Sequence, residues 1–387
     1  MAAADPVDFF DIRSLLDDEE RLIRDTVARF VDREVTPIIA ECFAAERFPA
    51  ELVPRLAELG LFGATLHGYG CAGLSYTAYG VVCEELERGD SSVRSCVSVQ
   101  SSLVMGCIFA FGSEEQRSRW LPELARGTKL GCFALTEAQG GSDPGRMRTR
   151  ARRHGGDWTI DGAKLWITNG ALADVAIVWA ATDDGIAAFL IEKGTKGFES
   201  RVIKNKLSLR ASSTAELAFA NVRVPDSARL PGADGLKAAL RCLDEARFGI
   251  AWGACGAARA CVETVLRYTQ SRELFGRPLT HTQLIQARLA NAVRQLTGAQ
   301  LLAWRLAKLQ ELGAARTAQI SLAKWNNVRA ALDIARDCRD MLGAAGVTLD
   351  HSPMRHMLNL ETVITYEGTE SIHELIVGRE LAGQSAF

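Results

Sequence analysis

Residues 131–144, Gly131-Cys132-Phe133-Ala134-Leu135-Thr136-Glu137-Ala138-Gln139-Gly140-Gly141-Ser142-Asp143-Pro144, mark the point where the texture of this sequence changes. Upstream, Leu16, Ile23, Val27, Phe30, Val31 and Val35 recur at helical spacing amid charge, and further helical patterns follow near 50–60, 74–88, 92–111 and 114–125. The stretch itself reads as an apolar strand running into a loop rich in glycine and hydroxyl groups. Downstream, to about residue 225, come short alternating or β-branched runs broken by Gly, Asp and Asn, at 157–162, 175–180 and 217–224. In the last of these, Leu217 and Phe219 alternate with alanines, and Val222 and Val224 resume the alternation after a slip at Asn221, as a half-buried strand with a bulge would.

After Pro231 the helical period returns and holds to the end, with long segments near 235–270, 281–311 and 314–343. The order is helices, sheet, helices, so the expected fold is α+β, mainly α. It divides into an all-helical domain over 1–128, a small antiparallel β-domain over 129–230 and a C-terminal four-helix bundle over 231–387. No repeat or low-complexity tract is evident, and the absence of sustained βαβ alternation excludes a parallel-sheet fold.

A chain of 387 residues, 48% of them hydrophobic, is long enough for two or three packed units. Its formal charge of −2, with both signs mixed, gives no footprint for nucleic acid or an anionic membrane. Ten cysteines are scattered without a CxxC or a cluster, so neither a metal site nor a disulfide framework is expected; Cys83, Cys107 and Cys261 read as small buried hydrophobes. The acidic N-terminal segment lacks an apolar or Arg-rich leader and no apolar run reaches spanning length, so a cytoplasmic protein is expected.

Gly68-Tyr69-Gly70-Cys71-Ala72-Gly73 matches the GxGxxG dinucleotide pattern letter for letter, but helical segments lie on both sides of it. It reads as a turn between helices, which makes a nicotinamide enzyme a poor fit. Two other loops fit a flat heteroaromatic ring better. The 131–144 loop offers backbone N–H groups with the Thr136 and Ser142 hydroxyls, and Trp166-Ile167-Thr168-Asn169-Gly170 offers an indole wall beside a hydroxyl. Near the C-terminus, Tyr366-Glu367-Gly368-Thr369 precedes a helix that Thr369 or Ser371 is free to cap. Glu367 is either a first-turn residue favoured by the helix dipole or a functional carboxylate.

FALTEAQGGSD from Phe133, WITN from Trp166, LRASSTAEL from Leu209, RELFG from Arg272 with Gln283 behind it, DMLG from Asp340 and the terminal YEGT, in this order, resemble the acyl-CoA dehydrogenases over nearly the whole chain. GYGCAG from Gly68, EELER from Glu84, RSCVSVQSSLVM from Arg94 and the tyrosine before Glu367 are similar to the glutaryl-CoA dehydrogenase branch of that family. The resemblance implies a homotetrameric flavoenzyme with FAD between the three domains, acting on an acyl-CoA and passing electrons to an electron-transferring flavoprotein. It implies that Glu367 is the base removing the α-proton of the acyl thioester, with its pKa raised by burial.

Further implied roles are flavin contacts from Phe133, Leu135, Thr136, Ser142, Trp166, Ile167, Thr168 and Thr369. Arg272, Phe275, Gln283, Asp340, Leu342 and Gly343 would meet the pyrophosphate and adenosine, partly across a subunit interface. Arg247 would face the thioester carrier, and Ser142, Tyr366 and Gly368 would border the substrate. Arg94 and Ser98 lie four apart on one helical face, where a guanidinium beside a hydroxyl suits the free carboxylate of a glutaryl chain, with Ser95 next to them and Glu87 placed to orient Arg94. Oxidation with loss of CO2 to crotonyl-CoA would follow. Departures from the branch's pattern, at EAQGGSD and at Ala344-Ala345, suit a short-chain or carrier-protein substrate of a biosynthetic pathway. An acyl-CoA oxidase on the same fold is a further alternative.

Overall fold

The computed structural model describes residues 6–384. Its first third is helical: α1 (Asp18–Phe30), α2 (Thr36–Ala44), α3 (Val53–Glu58), α4 (Tyr76–Gly89), α5 (Ser91–Ser98), α6 (Gly106–Phe111) and α7 (Glu114–Ala125). The starts are written in the sequence. Asp17 and Glu20 form a reciprocal capping box on α1, as do Ser113 and Gln116 on α7, and Ser75 caps α4. GYGCAG lies in the turn region between α3 and α4, with Gly68, Tyr69, Gly70 and Gly73 at positive φ.

Asp90 ends α4 and starts α5 in one extended residue. Its carboxylate accepts from Ser92 N at 2.8 Å and from Asn359 Nδ2 at 2.9 Å, and it pairs with Arg355. That bend sets Glu87 of α4 against Arg94 of α5. From α5 the helix continues through a π-helical stretch, Val99–Met105, into α6, so Ser91–Phe111 is one helix of 21 residues. It is long and apolar enough to cross a membrane, contrary to the reading that no run reaches spanning length; interspersed Arg94, Gln100 and serines disguise its average. In the folded chain 83% of its most apolar window is buried, as in a core helix.

The middle of the chain forms one eight-stranded sheet from β1 (Gly131–Ala134), β2 (Arg150–His154), β3 (Asp157–Thr168), β4 (Val175–Thr182), β5 (Gly185–Glu192), β6 (Phe198–Val202), β7 (Thr214–Pro225) and β8 (Arg229–Asp234). The order is β6-β7-β3-β2-β4-β5-β8, with β1 also on β4. The sheet is mixed, which corrects the all-antiparallel expectation: β1 and β2 both run parallel to β4. The cause is an excursion. The chain leaves the sheet after Ala134 and rejoins the same line at Arg150, so both segments follow β4 in its own direction, one beside Val175–Val178 and the other at Ala181.

Glu137 closes that excursion. Its carboxylate accepts from Arg148 N at 2.6 Å, Thr149 N at 2.9 Å and Lys164 Nζ of β3 at 2.9 Å, while the same ammonium donates to Leu135 O at 2.9 Å. Burial alone would raise this carboxyl, but the hydrogen bonds outweigh it and draw it down to about 2.

Both faces of the sheet are covered, which is why VAIVWA reads as an unbroken apolar run. Val175, Ile177 and Trp179 pack with Phe133 and Leu135 against the N-terminal helices, whereas Ala176, Val178 and Ala180 join Cys132 and Ala134 in the opposite core. The phase slip at Asn221 is a bulge: the β3–β7 register shifts between Ile160 and Gly162, and Asn221 stands at φ 53° with its N–H on Asp161.

The C-terminal part consists of α8 (Leu236–Ser271), a hairpin of β9 (Glu273–Leu274) and β10 (Arg277–Pro278), then α9 (Gln283–Glu311), α10 (Thr317–Met341), α11 (Ser352–Val363) and α12 (Glu370–Ala382). Three long helices are completed by two shorter ones, and Tyr79, Val81 and Cys83 of α4 share their core. Helices α4 and α8 approach closely because α8 shows glycines to α4. A Cβ on Gly256 would overlap the Glu84 carbonyl oxygen, with Arg88 N at 2.9 Å. Those are backbone atoms that cannot swing aside. Gly256→Ala is therefore expected to destabilise the protein by about 1–3 kcal/mol through forced separation of the helices, read as a lower denaturation midpoint; an unchanged midpoint would show that the helix pair yields freely.

Candidate active site

The segment between α11 and α12 carries Glu367 in the left-handed region at φ 52°, followed by Gly368 at φ 101°. Thr369 is the N-cap of α12, accepting from Ile372 N at 3.3 Å. Three successive carbonyls of this loop are held from outside it. Arg247 Nε of α8 donates to Glu367 O at 2.8 Å, and Lys324 Nζ of α10 donates to Gly368 O at 2.7 Å and to Tyr366 O. Glu367 is partly exposed as a residue, yet its Oε2 is buried without a hydrogen-bond partner. Burial pushes its carboxyl above the usual range, while the Lys324, Arg94 and Arg247 cations pull it back.

Below the loop lies the Glu87–Arg94 pair, both residues at 0% exposure. Arg94 Nε donates to Glu87 Oε2 at 2.6 Å and Nη2 donates to the Tyr366 hydroxyl, whose ring centre is 5.8 Å from the guanidinium. Three polar atoms here are buried without partners: Arg94 Nη1, Glu87 Oε1 and Ser98 Oγ. Buried orphans are rare and costly in folded proteins, and a cluster of them suits a polar ligand group. Ser95 is buried beside them. Gly253 of α8 makes the room, since a Cβ there would overlap Glu87 Oε2 and stand 3.1 Å from Arg94 Nε.

Arg247 departs from its expected place at the thioester carrier. It is only 5% exposed and its guanidinium is spent on Glu367 O and, at 2.9 Å, on Asp244, so it holds the loop. Lys324 escaped the sequence reading altogether. Its signal was a cation on the apolar stripe of α10 that also carries Ile320, Asn327 and Val328, all buried. His373 was missed as well. It is 1% exposed, with both ring nitrogens unpartnered, and its Nε2 would lie 2.8 Å from a Cβ on Gly368. Burial, with Lys324 and Arg247 nearby, lowers its pKa to about 2, so the ring is neutral.

A second group gathers around the excursion of the sheet. Leu165 N donates to Thr136 O at 2.9 Å, which ties the 135–149 loop to the turn containing Trp166. Trp166 stands at φ 64° with 57% of its surface exposed, a strained and costly display of an indole. The Thr136, Ser142 and Thr168 hydroxyls are at least partly accessible. Phe133, Leu135 and Ile167 are buried in the sheet's two cores, so only their backbone or edges are left for a ligand. An exposed indole flanked by accessible hydroxyls and backbone fits a flat, hydrogen-bonding ring such as a flavin.

The residues assigned to adenosine and pyrophosphate form a third group at one end of the C-terminal helices. Arg272 and Gln283 are exposed beside the 273–278 hairpin, and Phe275 stands wholly exposed at its tip with φ 54°. Arg288 of α9 joins this end to α10 through Asp337 at 3.0 Å and Asp340 at 2.9 Å. Leu342 is buried and Gly343 turns at φ 61°. No hydrogen bond or ion pair among the described residues links this group to the other two.

Comparison with known proteins matches three family models along the chain: acyl-CoA dehydrogenase N-terminal domain at residues 17–128, middle domain at 132–222 and C-terminal domain at 233–382. Among curated relatives, the mitochondrial short-chain specific acyl-CoA dehydrogenase of Bos taurus is 38% identical, covering 95% of this chain and 90% of that protein. A short-chain specific acyl-CoA dehydrogenase of Clostridium acetobutylicum is 34% identical, covering 94% and 98%. Among solved structures, a glutaryl-CoA dehydrogenase from Mycobacterium smegmatis in complex with FADH2 is 53% identical with a TM-score of 0.98, covering 99% of both chains. Butyryl-CoA dehydrogenase from Megasphaera elsdenii is 32% identical with a TM-score of 0.91, covering 95% and 99%. Matched in all three of its domains, the chain belongs to the acyl-CoA dehydrogenase family.

Proposed function

We propose that the protein is an FAD-dependent dehydrogenase of glutaryl-CoA or a similar short dicarboxylic acyl-CoA, with loss of CO2 to give crotonyl-CoA. The observation that carries the substrate reading is the fully buried Arg94 with its Nη1 unpartnered, next to the unpartnered Ser98 hydroxyl. A butyryl chain would leave both unanswered. The free carboxylate of a glutaryl chain accepts from both. The 53% identity to a glutaryl-CoA dehydrogenase supports the same substrate. The similarity to short-chain specific enzymes supports a second reading, in which a monocarboxylic acyl group is oxidised.

Glu367 removes the α-proton, and the upward shift that burial gives its carboxyl makes it a stronger base than an ordinary carboxylate. Trp166, Thr136 and Thr168 would hold FAD, which would supply the acceptor for the β-hydrogen as hydride. Arg94 and Ser98 hold the distal carboxylate, with Glu87 and the Tyr366 hydroxyl fixing the guanidinium. Loss of that carboxylate as CO2 leaves an electron pair delocalised onto the thioester carbonyl, and Glu367, now carrying a proton, returns it to the γ-carbon. An electron-transferring flavoprotein is the proposed acceptor, and a homotetramer the proposed assembly, in which a neighbouring subunit would cover the bare Phe275 ring.

The deciding experiment mixes the purified protein anaerobically with glutaryl-CoA and, separately, butyryl-CoA, following flavin bleaching and analysing products. Bleaching by glutaryl-CoA with crotonyl-CoA and CO2 formed is the expected result; bleaching by butyryl-CoA alone removes the dicarboxylic substrate. Arg94→Met is expected to lower kcat/KM for glutaryl-CoA by about 10- to 100-fold more than for butyryl-CoA, the scale of a lost charge-assisted hydrogen bond. The ratio is the readout because stranding Glu87 harms both substrates, and equal losses would count against the carboxylate site. Glu367→Gln is expected to lose about 10²–10⁴-fold in kcat. The native base works ionised, so activity climbs as pH rises through its raised pKa and is lost below it; an acid limb at the ordinary carboxylate value of about 4.3 would contradict the buried base.

A further inference from the structure

The carbonyls on either side of the base, those of Tyr366 and Gly368, accept from a single ammonium, Lys324 Nζ, while Arg247 takes the carbonyl of Glu367 itself. Lys324 is 1% exposed, and its Nζ also lies 5.6 Å from the centre of the Tyr366 ring. A cation so deeply buried needs compensation, and this one obtains it from two backbone oxygens, with the Glu367 carboxylate acting on it only through its field. The loop needs compensation too. A non-glycine residue in the left-handed region is strained, and such strain persists only where the surroundings over-determine the backbone.

We propose that Lys324 is a positioning residue for the base: by bridging the carbonyls of residues 366 and 368 it fixes the left-handed backbone of Glu367 and favours the ionised carboxylate. This rests on the reading of Glu367 as the base. Arg247 on α8 and Arg94 on α5 add positive charge around the pair, Tyr366 contributes its ring, and the neutral His373 of α12 packs under Gly368. Burial pushes the ammonium down to about 7 against the pull of Glu367, so the two groups titrate as a pair. When Glu367 takes up the substrate proton, the ammonium loses the attraction of that carboxylate while Arg247 and Arg94 remain. The charge balance then favours giving that proton back.

The test compares Lys324→Met, Lys324→Gln and Glu367→Gln with the native holoenzyme, each normalised to bound flavin, using whichever acyl-CoA bleaches the native protein. Lys324→Met is expected to lower kcat by about 10²-fold, the scale of a misplaced catalytic group, with KM little changed. It also removes a cation that holds Glu367 ionised, so the acid limb of the rate profile moves up by about one pH unit or more. Lys324→Gln keeps a carbonyl donor without the charge; the same limb shift with a smaller fall in kcat is expected, and it carries the test if the Met variant folds poorly. Exchange of the substrate α-hydrogen with deuterated water, read by mass spectrometry, should fall in parallel and does not require turnover of the flavin. An acid limb in place and kcat within twofold of native in both variants overturns the proposal. Turnover retained by Glu367→Gln overturns the base reading beneath it, so the two failures are told apart.

Discussion

The carboxylate of Glu137 determines whether the sheet can carry a site at all. A strand interrupted by a long loop would normally fray at the break, and here the break comes where the chain leaves backbone and the Thr136 and Ser142 side chains accessible. Glu137 binds the far end of the loop through the N–H groups of Arg148 and Thr149 and binds β3 through Lys164, with Glu137, Thr149 and Lys164 buried. Removing one partner of such a buried pair costs about 3–5 kcal/mol because the other charge is left uncompensated. The order of the 135–149 loop, and through Leu165 that of the turn holding Trp166, depends on this pair.

A second constraint acts in the helical parts. The charges of the site come from four helices and a loop: Glu87 from α4, Arg94 from α5, Arg247 from α8, Lys324 from α10 and Glu367 from the turn before α12. They converge because Asp90 bends the chain in one residue between α4 and α5, and because glycines on α8 let α4 approach within backbone contact. Burial therefore does two jobs. It raises the affinity of Glu367 for a proton, and it forces every cation nearby to find an oxygen, which stiffens the loop that carries Glu367.

Much of this was legible locally. The change of period at Gly131, the capping of α12 by Thr369, the bulge at Asn221 and the turn at Gly68–Gly73 each depend on residues a few positions apart, and each is visible in the sequence. Long-range pairing was not. Nothing near Cys132 or Arg150 says that both will run alongside β4, because the direction of a strand is set by a partner 44 positions away for Cys132 (Ala176) and 31 for Arg150 (Ala181). Arg247 and Lys324 were opaque for the same reason. Their partners are carbonyls of residues 366–368, and a backbone acceptor leaves no mark in the sequence. The resemblance to the acyl-CoA dehydrogenases supplied Glu367 and Arg94 where spacing alone left a dipole-favoured glutamate and a guanidinium beside a serine.

Gly253 bears on how the Glu87–Arg94 end of this cluster can change over evolutionary time. With Glu87 and Arg94 in place, no larger residue fits at 253 without overlapping the carboxylate. With Arg94 gone, Glu87 becomes an isolated buried charge. The three positions are thus coupled: a side chain gained at 253 displaces the Glu87 carboxylate from Arg94 wherever the charge pair is still present. Substitutions at 87, 94 and 253 are therefore bound to be non-additive.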